Sequence, residues 1–398
     1  MDNRAYWLWL QHAFGAGSRK PAVILRRMHS VQAFYEAGPS FWQTCQYITE
    51  KEYYALINYS PERALPLLEY YEKVGQQVLT PDDAAYPERL RQLIDFPCAL
   101  YVRGKLPPVD RVLSIGVVGS RKADASAIES ARTISAELAA RGVVIVSGGA
   151  VGIDSAAHNG ALRAGGKTIC VLPCGLNYPY LMDNVVMREH IAESGALVTE
   201  YPENTGVFRG TFTVRNRLIS GLSSGILVVS AARKSGTLIT AARATDQNRD
   251  IFVVPGPAGD ERWAGSAALI QDGACAVETA DDILCEYAAQ IENFPATLSS
   301  ETEKDSSFSE KISEKIEKND SKDVNSLKTG ENHLDELSGD AVTLWQVLCA
   351  QPRHINELTA ASLLPAHRVL AALTELELAG LCESLAGGFY RAARGAKP

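Results

Sequence analysis

The hydrophobic positions along the chain follow two different periods. Between residues 5 and 75 apolar side chains recur three or four positions apart, which predicts short amphipathic helices. From residue 77 onward short apolar runs alternate with helical patterns, which is typical of a parallel sheet with helices on both faces. We therefore predict a helical domain over residues 1–76 and a Rossmann-like, doubly wound α/β domain over residues 77–293.

Six apolar runs are the predicted strands of the α/β domain, and a helical pattern separates each run from the next. The runs span residues 115–120, 143–149, 168–175, 196–201, 225–230 and 250–256. In such a sheet the carboxyl ends of the strands meet at one edge, and ligands bind in the crevice outside that edge. The pattern therefore indicates where a binding site is expected.

The C-terminal part of the chain changes character twice. Residues 294–338 are rich in Ser, Glu, Lys, Asp and Asn and nearly free of aromatic side chains, so they cannot bury enough apolar surface to offset the entropy lost on ordering. We interpret them as a disordered acidic linker. Residues 339–398 show three amphipathic helices and a glycine-containing hairpin, which is the order of elements in a winged helix-turn-helix domain.

Composition narrows the class of protein. With 398 residues, of which 46% are hydrophobic, the chain can form two or three globular domains. No apolar stretch is long enough for a membrane-spanning helix, and the first residues do not resemble a signal peptide, so we expect a cytoplasmic protein without membrane contact. The 8 cysteines form no C-x-x-C pair, and we predict no disulfide framework, no metal and no cofactor.

The formal net charge of −8 conceals an acid-free window. Residues 294–340 alone carry a net charge of −6, so the acidity is concentrated in the predicted linker. Between Glu203 and Asp246 there is no acidic residue, while six basic residues occur: Arg209, Arg215, Arg217, Arg233, Lys234 and Arg243. A basic window in an acidic protein indicates a site for a polyanion.

Glycine-containing turns follow several predicted strands and should face this basic window at the carboxyl edge. Backbone N–H groups in such turns and at helix N-termini bind phosphate, and arginine side chains contact phosphate oxygens in a bidentate manner. The alternative for any single turn is that its glycine only permits a tight connection. We predict a phosphate-binding pocket formed by Gly119, Ser120, Arg121, Ser147, Gly148, Gly149, Arg209, Phe212, Arg217 and Gly236.

Arg215, Asn216 and Arg217 lie within one helical turn, so they cannot all point the same way. We expect Arg217 to line the pocket, Arg215 to brace the preceding loop, and Arg209 and Phe212 to lie on a mobile rim. An aromatic ring beside an arginine suits single-stranded nucleic acid, because a base stacks on the ring while the cation holds the phosphate. The alternative role of Phe212 is a core contact at the start of the helix.

Several catalytic and metal-binding patterns are absent from the sequence. Gly166-Lys167-Thr168 precedes a predicted strand rather than a helix, unlike the end of a P-loop, and no G-x-G-x-x-G fingerprint follows the first strand. Asp154 and His158 lie four residues apart on one predicted helix, but no third metal ligand accompanies them. No serine or cysteine occupies a nucleophile elbow. We therefore expect no catalytic residues.

Several stretches of the chain resemble the DprA/Smf family of DNA-processing proteins. They include VVGSRKA at 117–123, SGGAVGIDSAAHNGAL at 147–162 and RNRLISGLSSG at 215–225. The N-terminal helical domain, of the SAM-like or helix-hairpin-helix-like type, and the winged helix also resemble those of three-part family members. The chain departs from the family at Thr213, where Pro is usual, at Ser230, where Glu is common, and at Ala267, where Asn is common.

This resemblance implies a function without covalent chemistry. Family members bind single-stranded DNA in the Rossmann-like domain, associate as homodimers, and act in natural transformation. They load the recombinase RecA onto incoming DNA, displace single-strand-binding protein and so protect that DNA. Arg209 and Phe212 come from the basic window alone. By position, the family's pocket corresponds to Gly119, Ser120, Arg121, Ser147, Gly148, Gly149, Asn216, Arg217, Ser235 and Gly236.

Two other functions are weighed against this one. Phosphoribohydrolases of the lysine-decarboxylase-like type process nucleotides on a related sheet, but they depend on a glutamate after a PGG-x-GT turn, whereas residues 238–240 here are Leu, Ile and Thr. A sequence-specific regulator would use the winged helix, whose third helix offers only His367 and Arg368 for major-groove contacts. A role in protein contacts suits that domain at least as well.

Overall fold

The computed structural model describes residues 1–288 and 339–393, apart from short gaps at 349–350, 352, 363, 365, 379–380 and 386–388. The chain divides into two compact units between Glu317 and Lys318, so the two described parts belong to different units. The predicted linker, residues 294–338, lies outside the described residues. Within the described ranges no helix has the length and apolarity needed to cross a bilayer.

Five α-helices fill the N-terminal region, as the spacing of apolar residues predicts. They span Asn3–Phe14 (α1), Lys20–Met28 (α2), Val31–Thr44 (α3), Glu50–Asn58 (α4) and Leu65–Lys73 (α5). The amphipathic pattern over residues 21–38 contains parts of two helices, α2 and α3. They are separated because His29 adopts a left-handed backbone conformation with φ 63°. Ser30 then begins α3 by accepting a hydrogen bond from the N–H of Ala33.

Nine strands form one sheet in the first unit, in the order β1-β2-β6-β5-β4-β3-β7-β8-β9. The strands are Gln76–Leu79 (β1), Leu100–Gly104 (β2), Ser114–Gly119 (β3), Val144–Ser147 (β4), Thr168–Val171 (β5), Ala196–Thr199 (β6), Gly225–Val229 (β7), Asp250–Val253 (β8) and Cys275–Ala276 (β9). The helices are Glu88–Arg91 (α6), Ala125–Ala140 (α7), Ile153–Arg163 (α8), Val185–Ser194 (α9), Arg209–Gly221 (α10), Gly236–Asp246 (α11), Ala264–Gln271 (α12) and Ala280–Glu286 (α13).

The strands from β3 to β8 are parallel, as predicted, and β9 is parallel to β8, but one strand near the other end of the sheet runs in the opposite direction. β2 pairs antiparallel with both β1 and β6. The sequence pattern did not predict β1, β2 or the two-residue β9. These strands are short, and β1 and β2 include the polar residues Gln76, Gln77 and Arg103, so they do not form continuous apolar runs.

The order of the strands reverses at β3. After β3 the chain proceeds outward through β4, β5 and β6, and it then returns to form β7 on the opposite side of β3. The connections therefore leave β3 and β7 in opposite directions, and a crevice opens between them at the carboxyl ends of the strands. This crevice coincides with the edge at which the predicted pocket residues lie.

The N-terminal helices share a hydrophobic core with the sheet. The rings of Trp7 in α1 and Phe96 lie 6.0 Å apart in an edge-on arrangement. Both belong to a buried cluster that also contains Leu100 and Val102 of β2. The predicted division between residues 76 and 77 is therefore not a division of the core.

The second unit has the winged-helix architecture that the sequence predicts. Its helices span Gly339–Val347, Ile355–Ser362 and Ala366–Leu378. Three strands, Arg353–His354 (β10), Cys382–Leu385 (β11) and Phe389–Ala392 (β12), form an antiparallel sheet in the order β10-β12-β11. A separate core holds this unit together, built from residues such as Leu344, Leu358, Leu373 and Cys382.

Candidate nucleic-acid interface

The turns that follow β3, β4 and β7 meet at the carboxyl edge of the sheet. The N–H of Ser120 donates to the carbonyl oxygen of Ser230 at 3.1 Å, which joins the ends of β3 and β7. The carbonyl oxygen of Ser120 in turn accepts from the N–H of Ile153 at 3.3 Å, which joins the β3 turn to the start of α8. The predicted convergence of these turns is thus present in the structure.

Most glycines in these turns are required by close packing. A β-carbon at residue 119 would overlap the carbonyl oxygen of Val229, and one at residue 148 would overlap the guanidinium group of Arg215. Gly149 also needs its glycine for the backbone, since its φ is +68°. Gly236 differs, because a β-carbon there would meet nothing within 4 Å. Gly119, Gly148 and Gly149 are therefore glycines that permit tight packing of the fold, whereas Gly236 faces open space.

Three further polar residues of the predicted pocket serve local structure. Ser147 is buried, and its hydroxyl donates to the carbonyl oxygen of Val117 at 2.6 Å. Ser235 caps α11 by accepting from the N–H of Thr237 at 3.1 Å. Asn216 is half-buried, and its side-chain oxygen accepts from Nε of Arg215 at 3.1 Å.

Arg215 ties helix α10 to the ends of two strands. Its Nη1 donates to the carbonyl oxygens of Gly148 and Val171, each at 2.7 Å. The side chain is buried, so its charge is satisfied by these backbone dipoles rather than by solvent. We expected a bracing role for Arg215 at the preceding loop; the structure shows bracing instead at the carboxyl ends of β4 and β5.

The prediction that Arg217 lines the pocket is wrong. Its side chain is 3% exposed and forms an ion pair with Glu200, while its Nε lies 3.9 Å from Asp95. Glu200 also accepts a hydrogen bond from the N–H of Gly17 at 3.0 Å, so the pair connects α10 to the N-terminal helices. Burial raises the pKa of the Glu200 carboxyl, and the charge of Arg217 opposes that rise. Glu200 directly follows the buried strand β6, and an acidic residue at such a position indicates that a cationic partner is needed.

Arg121 and Phe212 form the exposed centre of the edge. The guanidinium carbon of Arg121 lies 4.9 Å from the centre of the Phe212 ring, a cation–π geometry. The Phe212 ring is half-buried and packs edge-on against Tyr180 with 6.0 Å between ring centres. One side of the ring therefore contacts the protein, and another contacts an exposed arginine.

Exposed cations surround this pair. Of the residues that the structure describes, no carboxylate lies within ion-pair distance of the five exposed basic side chains at this edge: Arg121, Lys122, Arg209, Arg233 and Lys234. Lys122, Arg233 and Lys234 were not among the predicted pocket residues, although Lys122 is adjacent to Arg121 and the other two lie in the acid-free window. The N-termini of α10 and α11 add partial positive charge.

Two buried titratable residues lie beneath the β4 turn. Asp154 accepts a hydrogen bond from the N–H of Ala150 at 3.3 Å, and burial raises the pKa of its carboxyl. Nδ1 of His158 lies 2.8 Å from the hydroxyl of Thr168, and burial lowers the pKa of this imidazole to about 3. Within the described residues no group of three His, Cys, Asp or Glu side chains is arranged to hold a metal ion. Asp154 is therefore an internal support of the turn, whereas His158 is a buried contact to β5.

The structure thus sorts the predicted site residues by their exposure. Arg121, Arg209 and Gly236 are exposed at the carboxyl edge. The half-buried predicted residues are Gly119, Ser120, Phe212, Asn216 and Ser235, and the buried ones are Ser147, Gly148, Gly149 and Arg217. An edge of unpaired cations, an aromatic ring and helix N-termini can bind an extended polyanion, with phosphates on the cations and a planar group on the ring.

Comparisons with known proteins agree with this arrangement. The sequence model of the family DNA recombination-mediator protein A matches residues 77–288, and that of the DprA winged helix domain matches residues 331–388. The chain is 31% identical over 407 residues to Protein Smf of Synechocystis, covering 98% of this chain and 99% of that protein. It is 34% identical over 326 residues to Protein Smf of Escherichia coli, covering 82% and 80%.

A solved structure supports the same relationship. The X-ray structure of DNA processing protein A (DprA) from Streptococcus pneumoniae matches with a TM-score of 0.60 and 28% sequence identity. The match covers 71% of this chain and 97% of that chain. The similarity therefore includes nearly the whole of the pneumococcal protein as solved.

Proposed function

The chain belongs to the DprA/Smf family, and we propose that it binds single-stranded DNA along the carboxyl edge of its sheet. The observation that carries this proposal is the exposed Arg121 above the half-buried ring of Phe212, with four further exposed cations around it. Phosphate contacts with such cations supply most of the affinity of a protein for nucleic acid.

The aromatic ring favours a single strand over a duplex. An unpaired base has a free face that stacks on a ring, whereas the bases of a duplex already stack on one another. The helix N-termini at this edge add backbone donors for phosphate oxygens. Neither feature requires a particular base, so we propose binding without strong sequence preference.

The finer parts of the proposal rest on the family resemblance. We propose a cytoplasmic protein that acts as a homodimer during natural transformation and recombination, loads RecA onto bound DNA and displaces single-strand-binding protein. We also propose that it performs no covalent chemistry. In support, the titratable Asp154 and His158 are buried rather than exposed at the edge.

Substitution of Arg121 tests the proposed site. We expect Arg121→Ala to weaken binding of a labelled single-stranded oligonucleotide about tenfold, because one phosphate contact and its aromatic support are lost. The slope of affinity against salt concentration should fall by about one unit. Fluorescence anisotropy over a range of salt concentrations measures both quantities.

Arg111→Ala is the matched control for this experiment. Arg111 is equally exposed but precedes β3, so it lies at the opposite, amino end of the strand. Both variants change the net charge by the same amount. Equal affinities of Arg121→Ala and the control would contradict the proposed site, whereas an effect confined to Arg121→Ala would support it.

A further inference from the structure

Most large exposed apolar side chains at the carboxyl edge lie on one half of it, and most exposed cations lie on the other. Ile239 of α11, which is 45% exposed, is an apolar side chain on the cationic half. After β3 and β7, at the centre of the crevice, come Arg121, Lys122, Arg233 and Lys234. After β4, β5 and β6 come four large apolar residues that are strongly exposed: Val151 (41%), Met182 (62%), Val186 (47%) and Phe208 (61%). We call these four residues the apolar strip.

Contacts within the fold hold the apolar strip beside the β4 turn. Met182 and Val186 are four residues apart at the start of α9, and between them the side chain of Asn184 donates to the carbonyl oxygen of Gly149 at 3.0 Å. Val151 follows in the same turn. The segment before α9 also reaches the central pair, since Tyr180 packs against Phe212.

Phe208 is held in position although its ring is exposed. Its carbonyl oxygen accepts hydrogen bonds from the N–H and the hydroxyl of the buried Thr211, at 3.0 and 2.8 Å. The ring lies across the start of α10, where a β-carbon at residue 210 would be 3.0 Å from it. Phe208 therefore has a fixed backbone and presents an exposed aromatic ring next to Arg209.

The charges on this half do not favour phosphate. Asp183 is exposed between Met182 and Asn184, and Arg209 is the exposed cation that follows β6. An anion near Asp183 would repel a phosphodiester chain, whereas uncharged bases would not be repelled. Large exposed apolar groups beside a cationic edge are the arrangement that a single strand needs, with its phosphates on one side and its bases on the other.

We propose that the bound strand lies along the edge with its phosphates over the β3–β7 half and its unpaired bases against the apolar strip. This inference rests on the proposed function and adds an orientation to it. Bases contact Phe208, Met182, Val186 and Val151, and Arg209 holds a phosphate where the strand passes the start of α10.

An oligonucleotide without bases tests this orientation. The full-length chain is titrated with oligothymidylate and with an abasic oligomer of the same length and charge. The wild-type chain should prefer oligothymidylate, and the double variant Phe208→Ser/Met182→Ser should reduce this preference about tenfold. Its affinity for the abasic oligomer should not change, because the cations are intact. A second double variant, Val151→Ser/Val186→Ser, should reduce the preference in the same direction.

The control is Tyr54→Ser, which removes a side chain that is 53% exposed in helix α4. It should retain the wild-type preference. If both double variants retain that preference while folded by circular dichroism, the inference is overturned. Equal binding of both oligomers by the wild-type chain also overturns it but leaves the proposed function intact. Absence of binding to either oligomer would instead contradict the proposed function.

Discussion

Two arginines of one helical turn show how differently identical side chains are used. Arg215 and Arg217 are both buried in α10, the first on backbone carbonyls and the second on Glu200. A buried guanidinium group needs such partners, because losing its hydration is costly. The sequence predicts that one of the two is structural; both are, and the exposed positive charge belongs instead to Arg121 and Arg209.

Loss of Arg217 should therefore act on stability. Arg217→Ala leaves the carboxylate of Glu200 buried without its partner, and we expect the free energy of unfolding to fall by about 3–5 kcal/mol. Chemical denaturation monitored by tryptophan fluorescence measures this change. Arg209→Ala removes an exposed arginine from the same helix and should alter stability by less than about 0.5 kcal/mol. Similar stabilities of the two variants would show that the buried pair is not a structural link.

At the scale of elements, the central strands of the sheet could be predicted, and the strands at its two ends could not. The strands β3 to β8 are buried apolar runs between helical patterns, and this alternation determines a parallel arrangement. β1 and β2 include polar residues, and the reversed direction of β2 depends on its pairing with β6, a contact distant in the sequence.

The candidate site was predictable in its location more than in its individual roles. Glycine turns at strand ends indicate the carboxyl edge, because parallel strands present their ends together. Whether a glycine faces ligand or protein depends on what packs against it. Gly148 accommodates Arg215 from a helix more than sixty positions later, whereas Gly236 faces open space. Sequence spacing does not distinguish these two cases.

Alanine at these two glycines should separate their roles. Gly148→Ala should lower the free energy of unfolding by roughly 1–3 kcal/mol, because the added methyl group displaces Arg215. Gly236→Ala should not lower it, since alanine fits the first turn of α11 without a clash. Thermal and denaturant unfolding of both variants check this contrast. Stability loss in Gly236→Ala, or none in Gly148→Ala, would contradict the assignment.

At the scale of the whole molecule, the net charge of the chain differs in sign from the charge of the proposed binding surface. The formal net charge is −8, yet the described carboxyl edge of the first unit is cationic. Three basic residues described in the second unit have partners within that unit: Arg368 pairs with Asp340, Arg391 pairs with Glu383, and Arg353 donates to the carbonyl oxygen of Val347. We therefore expect DNA binding to belong to the first unit, including its N-terminal helices, which share the core of the sheet.

The most direct test of this account is the salt-dependent affinity of residues 1–288 for single-stranded and duplex DNA of the same sequence, measured by fluorescence anisotropy beside the full chain. We predict that the fragment binds the single strand as tightly as the full chain does, prefers it to the duplex, and loses affinity steeply as salt concentration rises. Failure of the folded fragment to bind the single strand, or equal affinity for the duplex, would contradict the account.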